Sequence, residues 1–295
     1  MAKINKTAIL HLVLFLIIAV SASAQKTKPK NADTPKPFVL GVIEEIQSKQ
    51  LGEKRILNIY LPDGYNKNDT ITYPVIYLLD GSVNEDFIHV AGLIQFNNFE
   101  WVNRVPKSIV VGIANVDRKR DFTYATTIEA DKKRYPTAGK SANFIAFIEK
   151  ELQPFITKNY QTNASRMIIG QSLGGLLAAE ILLTKPELFD KYVIISPSIW
   201  WDNGSLLKLQ PKVLKKDFKQ NIAVYIGVGK EGLVPGDYPR VMETDANLLA
   251  DMLRHTKSES VTTYFDYLPQ EDHATITHQA VFNALRMLYP VKEGR

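Results

Sequence analysis

The sequence predicts an α/β protein built on one mostly parallel sheet with helices on both faces. Three observations lead there. From about residue 74 onward, apolar runs of five to eight residues alternate with longer amphipathic ones, the pattern of buried strands each followed by a helix. Before them stand two extended runs, 39–46 and 55–61, joined by a polar turn around Gly52, which predict an antiparallel hairpin. After residue 37 no second linker interrupts the pattern, so residues 38–295 are expected to form one domain.

At the N-terminus, Lys3 and Lys6 precede an apolar run of 13 residues, 8–20, and Ala22-Ser23-Ala24 supplies a small-x-small cleavage pattern. This predicts a signal peptide over 1–24, with Gln25 as the mature start and export to a periplasm or beyond. The run is short of the roughly 18–20 residues needed to span a bilayer, and His11 weakens it further, so no stable membrane span is expected after cleavage. Residues 25–37 are polar, rich in Lys and Pro and without periodicity, and read as a linker. Loss of Lys3 and Lys6 lowers the formal charge from +5 to +3, too mild for a dedicated nucleic-acid binder. The chain has no cysteine, which excludes disulfides, Cys-based zinc or iron–sulfur sites, a thiol nucleophile and an acylated Cys anchor. No cofactor or metal is implied.

In the domain itself, short runs at 74–79, 108–114, 166–170, 192–196, 221–227 and 261–268 complete a set of eight predicted strands. Helices are expected around 87–96, 142–160, 173–184, 206–215, 240–256 and 275–289. Ligands of such sheets sit at the carboxyl ends of the strands. The most informative string stands at one of those ends: Gly170-Gln171-Ser172-Leu173-Gly174 matches G-x-S-x-G. A serine raised above a sheet needs a strained strand-to-helix turn, and flanking glycines let strand and helix approach without Cβ clashes. The bare motif also occurs as a plain Gly-rich turn. Here it ends a strand and opens an apolar helix, so Ser172 is the expected nucleophile.

Of five histidines, His11 lies in the leader, His89 and His255 in helical runs and His278 in the last helix. His273 follows the last strand in the loop Pro269-Gln-Glu-Asp-His-Ala274, the position of the base in the chain order Ser…acid…His. Glu271 and Asp272 beside it read as solvated loop charges. The acid should come from the loop after the preceding strand, where Glu231 lies nearest the strand end and Asp237 competes. A Ser–His dyad with no acid is the alternative. For the oxyanion hole, the N–H of Leu173 is one expected donor. The other is expected from Asp80-Gly81-Ser82, through Gly81 or Ser82.

These strings, together with Tyr77-Leu-Leu-Asp-Gly81, Gly112-Ile-Ala-Asn115 and Ile195-Ser-Pro-Ser-Ile-Trp-Trp-Asp202, resemble the Putative esterase family of α/β-hydrolases over about residues 38–289. That family includes enterochelin and bacillibactin trilactone esterases and esterase D-related enzymes. The resemblance implies the α/β-hydrolase fold and the roles of Ser172 and His273, and leaves the acid open because some trilactone esterases are dyads. Gln171 departs from the family, whose members often carry His there, and is expected to tune the entrance.

About two dozen residues separate Ser196 from Asn221, too few for a large cap, so an open site suited to a bulky or macrocyclic ester is expected. Trp200 and Trp201 are expected as an aromatic wall, with packing anchors as the alternative. Arg118, Lys119 and Arg120 stand in the long stretch 115–141 and are expected to meet an anionic substrate such as a ferric siderophore, unless they are a solvated basic loop. The reading is therefore an exported serine esterase acting through an acyl-enzyme, with catecholate-siderophore trilactones as leading substrates. A carbohydrate (acetyl or feruloyl) or general carboxylesterase is the alternative within the class. A non-catalytic ligand-binding homologue is the rival outside it, and the intact Ser172, His273 and oxyanion elements argue against that rival.

Overall fold

Alternation along the strands builds two cores. In β3 (Tyr73–Leu78) Val75 and Tyr77 join one core while Ile76 and Leu78 join the other, and in β4 (Ile109–Ile113) Val111 and Val110 divide in the same way. Such strands are apolar throughout because helices cover both of their faces. The computed structural model describes residues 35–234 and 239–291. The expected signal peptide and all but residues 35–37 of the linker lie outside the described residues, as does Asp237. Among the described residues no helix is long and apolar enough to cross a membrane.

The other strands are β1 (Val42–Ser48), β2 (Glu53–Tyr60), β5 (Thr162–Gln171), β6 (Lys191–Ile195), β7 (Ile222–Gly229) and β8 (Val261–Leu268). The eight lie in the order β1-β2-β4-β3-β5-β6-β7-β8. The predicted hairpin is β1 paired antiparallel to β2, with Val42 opposite Ile59. Strand β2 is also antiparallel to β4, and every later pairing is parallel.

Helices α1 (Phe87–Asn98), α2 (Arg118–Phe122), α3 (Glu129–Arg134), α4 (Ser141–Phe147), α5 (Gln153–Asn159), α6 (Leu173–Thr184), α7 (Met242–Arg254) and α8 (Ile276–Leu288) complete the chain, with a π-helical turn at Ile148–Leu152 joining α4 to α5. Val90 and Ile94 of α1 pack with Val281 and Leu285 of α8 in one core. Phe144, Ile156, Leu177 and Leu249, from α4 to α7, fill the other.

Two expectations are corrected. The helix expected over 206–215 does not form. Its place is taken by short 3₁₀ segments, Trp201–Lys208 and Lys212–Leu214. Asp202, Asn203 and Gly204 are left-handed, and Pro211 can donate no backbone hydrogen bond, so no continuous α-helix can run through. Conversely, the stretch 115–141 contains α2 and α3, each too short to show periodicity.

Glu180, on α6, is a buried carboxylic acid. One oxygen accepts from Ser141 Oγ at 3.0 Å, and the other has no hydrogen-bond partner among the described residues. Burial pushes its pKa up to about 7, opposed in part by the Ser141 bond. Below its ordinary value of 4.5 the group is neutral folded and unfolded, and its contribution to stability is fully present. As pH rises toward 7 the unfolded chain ionises while the folded chain keeps its proton, so stability falls by up to roughly 3 kcal/mol. Urea unfolding at pH 5 and pH 8 is expected to show this loss in the wild type and a much smaller one in Glu180→Gln. The same pH dependence in both would mean that Glu180 does not set it.

Candidate active site

Strand β5 delivers Ser172 into the turn before α6 with φ 59° and ψ −119°. A side chain in the left-handed region is strained, and the surrounding backbone holds it there. Ser172 N donates to Ile195 O at 3.0 Å, and its carbonyl accepts from Leu176 N at 2.9 Å and from Ser198 N at 3.0 Å. The turn is tight enough that a Cβ on Gly170 would lie 2.4 Å from Gly174 O. The result is an Oγ standing above the carboxyl edge of the sheet at the first turn of α6.

His273 reaches this Oγ from the loop after β8, with Nε2 at 3.0 Å. Its Nδ1 lies 2.5 Å from Glu231 Oε2, just past the end of β7. The two loops are laced together: Lys230 N donates to Glu271 O at 2.8 Å, and Gln171 Nε2 donates to His273 O at 2.9 Å. Gln171 therefore links the nucleophile strand to the imidazole's own backbone. Asp272 caps the start of the next turn by accepting from Ala274 N and Thr275 N.

The Glu231 side chain is 3% exposed. Burial alone would raise its pKa, but hydrogen bonds from His273 and Ser196, the charge that His273 carries when protonated and the Gly229 N–H outweigh that effect, so the carboxyl sits below its usual range. Ser196, buried at the end of β6 with φ 42°, gives its hydroxyl to Glu231 Oε1. Sequence reading missed this residue, although its place at a strand end before Pro197 marks it.

For an oxyanion, the Leu173 N–H at the start of α6 has no carbonyl four residues back within the helix to bond. The Gly81 expectation is corrected. Its N–H donates to Ile113 O at 3.0 Å, and a Cβ there would meet Gly112 Cα at 2.4 Å, so this glycine closes β3 onto β4. Ser82 N makes only a long 3.4 Å contact with Glu85 Oε2.

The basic loop divides. Arg120 is tied to Asp121 and Glu53, beside the buried Arg55, and is not among the residues lining the clefts at Ser172, so its expected role on substrate is withdrawn. Arg118 does line the site, but its guanidinium bonds Asp80 through Nε at 2.6 Å and a terminal nitrogen at 3.0 Å, and also donates to Gln171 O at 3.0 Å. Lys119 lies 5.2 Å from the Tyr135 ring centroid.

The tryptophans divide too. Trp201 is 1% exposed and donates to Tyr124 O, which makes it an anchor, whereas Trp200 is half-buried beside Ser172. Two clefts flank the serine. One, about 180 Å³, is lined by Arg118, Lys119, Tyr135, Leu173 and the tryptophans. The other, about 280 Å³, is lined by Glu231, His273, Leu233, Val234 and Met242. A larger hollow of about 600 Å³ lies at the opposite ends of β3, β4 and β5 and holds none of these groups.

The strand order, the elbow serine and a histidine after the last strand define an α/β-hydrolase. Residues 48–267 match the model of the family described as Putative esterase, and the chain belongs to that family; it is a serine carboxylic-ester hydrolase. It is 29% identical to ferri-bacillibactin esterase BesA of Bacillus subtilis over 90% of this chain and 96% of that one. Among solved structures, it is similar to an IroE-like serine hydrolase from Shewanella oneidensis, with a TM-score of 0.75, 33% identity and 84% of this chain and 80% of that one covered. It is also similar to the BES protein of Bacillus cereus, with a TM-score of 0.73, 28% identity and 88% and 100% covered.

Proposed function

We propose that the chain is an exported esterase that opens catecholate-siderophore trilactones through an acyl-enzyme on Ser172. The observation that carries the chemistry is the relay from Ser172 Oγ to His273 Nε2 at 3.0 Å and from Nδ1 to Glu231 at 2.5 Å. Ser172 Oγ attacks the ester carbonyl as His273 takes its proton. Glu231 accepts from Nδ1–H, which fixes the tautomer and balances the imidazolium. The N–H groups of Leu173 and Ser82 receive the negative charge that develops on the carbonyl oxygen. His273 then protonates the departing alkoxide. Water, activated by the same imidazole, releases the acid and restores Ser172.

The siderophore reading is supported by the name of the Bacillus subtilis relative and by the open mouth of the site, where only short 3₁₀ segments stand between β6 and β7. Export rests on the leader-like first 24 residues. One experiment tests both. The protein recovered from the exported fraction of expressing cells is expected to start at Gln25. It is expected to hydrolyse ferric or iron-free tris-catecholate trilactones with a higher kcat/KM than feruloyl or acetyl sugars. A start at Met1 would remove export, and a preference for the sugar esters would remove the siderophore assignment while leaving the esterase intact.

A further inference from the structure

We infer that Trp200 splits the site into an acyl subsite on the Lys119 side and an alcohol subsite on the His273 side, so that the enzyme selects esters carrying negative charge on the acyl part. The inference rests on the serine-esterase reading of the same site. Trp200, Ser172 and Ser198 line both clefts, and each cleft has a wall of its own. The reaction assigns the two sides. The leaving oxygen must take its proton from His273 Nε2, so the alcohol part has to lie in the cleft that the imidazole lines. The carbonyl oxygen turns toward Leu173 N–H, and the acyl chain is left with the cleft that Leu173, and not His273, lines.

The two walls differ in charge. On the acyl side, Arg118 is neutralised by its two bonds to Asp80. Lys119 is exposed, makes no ion pair among the described residues and stands over Tyr135. Tyr135 and Trp200 add aromatic surface whose rings stand 6.5 Å apart. An anionic aromatic acyl group meets both kinds of contact there. On the alcohol side, Leu233, Val234 and Met242 are apolar, and the Glu231 carboxylate is buried behind His273. Apart from His273 itself, no basic residue lines that wall among the described residues.

Four esters test the assignment: p-nitrophenyl benzoate, p-nitrophenyl 4-carboxybenzoate, phenyl benzoate and 4-carboxyphenyl benzoate. Lys119→Met is expected to lower the kcat/KM of p-nitrophenyl 4-carboxybenzoate relative to p-nitrophenyl benzoate by about five- to tenfold, with the ratio of 4-carboxyphenyl benzoate to phenyl benzoate held within about twofold, since one exposed cation near an anion supplies only a modest attraction. Added salt should erase most of that difference. Leu233→Lys is expected to favour 4-carboxyphenyl benzoate alone. The reverse pattern, or equal losses on all four esters in Lys119→Met, would overturn the assignment. Failure of the wild type to hydrolyse any of the four would instead overturn the esterase reading beneath it.

Discussion

Ser172→Ala is expected to lower turnover of p-nitrophenyl esters by about 10⁴- to 10⁶-fold, the range typical of triad nucleophiles. The fold should hardly notice. The contacts that keep residue 172 at φ 59° are backbone ones, to Ile195, Leu176 and Ser198, and alanine retains them all. Only Oγ is lost, with its 3.0 Å bond to His273 and a 3.4 Å contact to Ser198. Alanine also bears no more left-handed strain than the serine already does. A thermal midpoint near that of the wild type together with collapsed turnover is the expected pair of results. Turnover above about a hundredth of wild type would remove Ser172 from the role of nucleophile. A fluorophosphonate probe should label the wild type and leave the variant unlabelled.

What was legible in the sequence was position along a strand. Ser172, His273 and Glu231 each follow the end of a predicted strand, and in a parallel sheet those ends converge on one edge. The site features misread depend on partners that linear spacing does not reveal. Gly81 looked like an oxyanion donor because it follows β3, but the register of β3 against β4 gives its N–H to Ile113. Arg118 and Arg120 looked alike as neighbouring cations. About half a turn of helix sends Arg118 toward Asp80, 38 residues back, and Arg120 toward Glu53, 67 residues back. Lys119, between them, faces the site. The adjacent tryptophans also separate by their partners: Trp201 is buried and donates to Tyr124 O, while Trp200 lies beside the nucleophile.

The same convergence explains why polar residues outside the relay are buried around it. Asp80, at φ 52°, holds Arg118 and accepts from Asn115 Nδ2, and Arg118 in turn holds the carbonyl of Gln171. The loop after β3, the stretch after β4 and the strand carrying the nucleophile are thereby fixed to one another by charge-assisted bonds. Pre-organisation of this kind holds the loop after β3 and the strand end that carries Ser172 in one arrangement without help from substrate. It also explains why a cation so near the site is not available to a ligand.

Glu231→Gln is expected to lower turnover by up to about 10⁴-fold, with KM changed far less. Glu231 works as an acceptor on both sides: Oε2 takes the Nδ1–H of His273, and Oε1 takes the Ser196 hydroxyl and the Gly229 N–H at 3.2 Å. A glutamine cannot satisfy both. With its amide nitrogen toward His273, it makes Nδ1 an acceptor and puts the ring proton on Nε2, where it opposes rather than accepts the proton of Ser172. With the amide reversed, the oxygen restores the tautomer, but the nitrogen then faces the Gly229 N–H donor, and the negative charge that balances the imidazolium is gone. The carboxylate is also held below its usual pKa, so it remains available as an acceptor into acidic solution. Asp237→Asn is expected to be mild by comparison. A severe loss in Asp237→Asn with a mild one in Glu231→Gln would move the acid to Asp237. Mild losses in both would make the pair Ser172–His273 sufficient by itself.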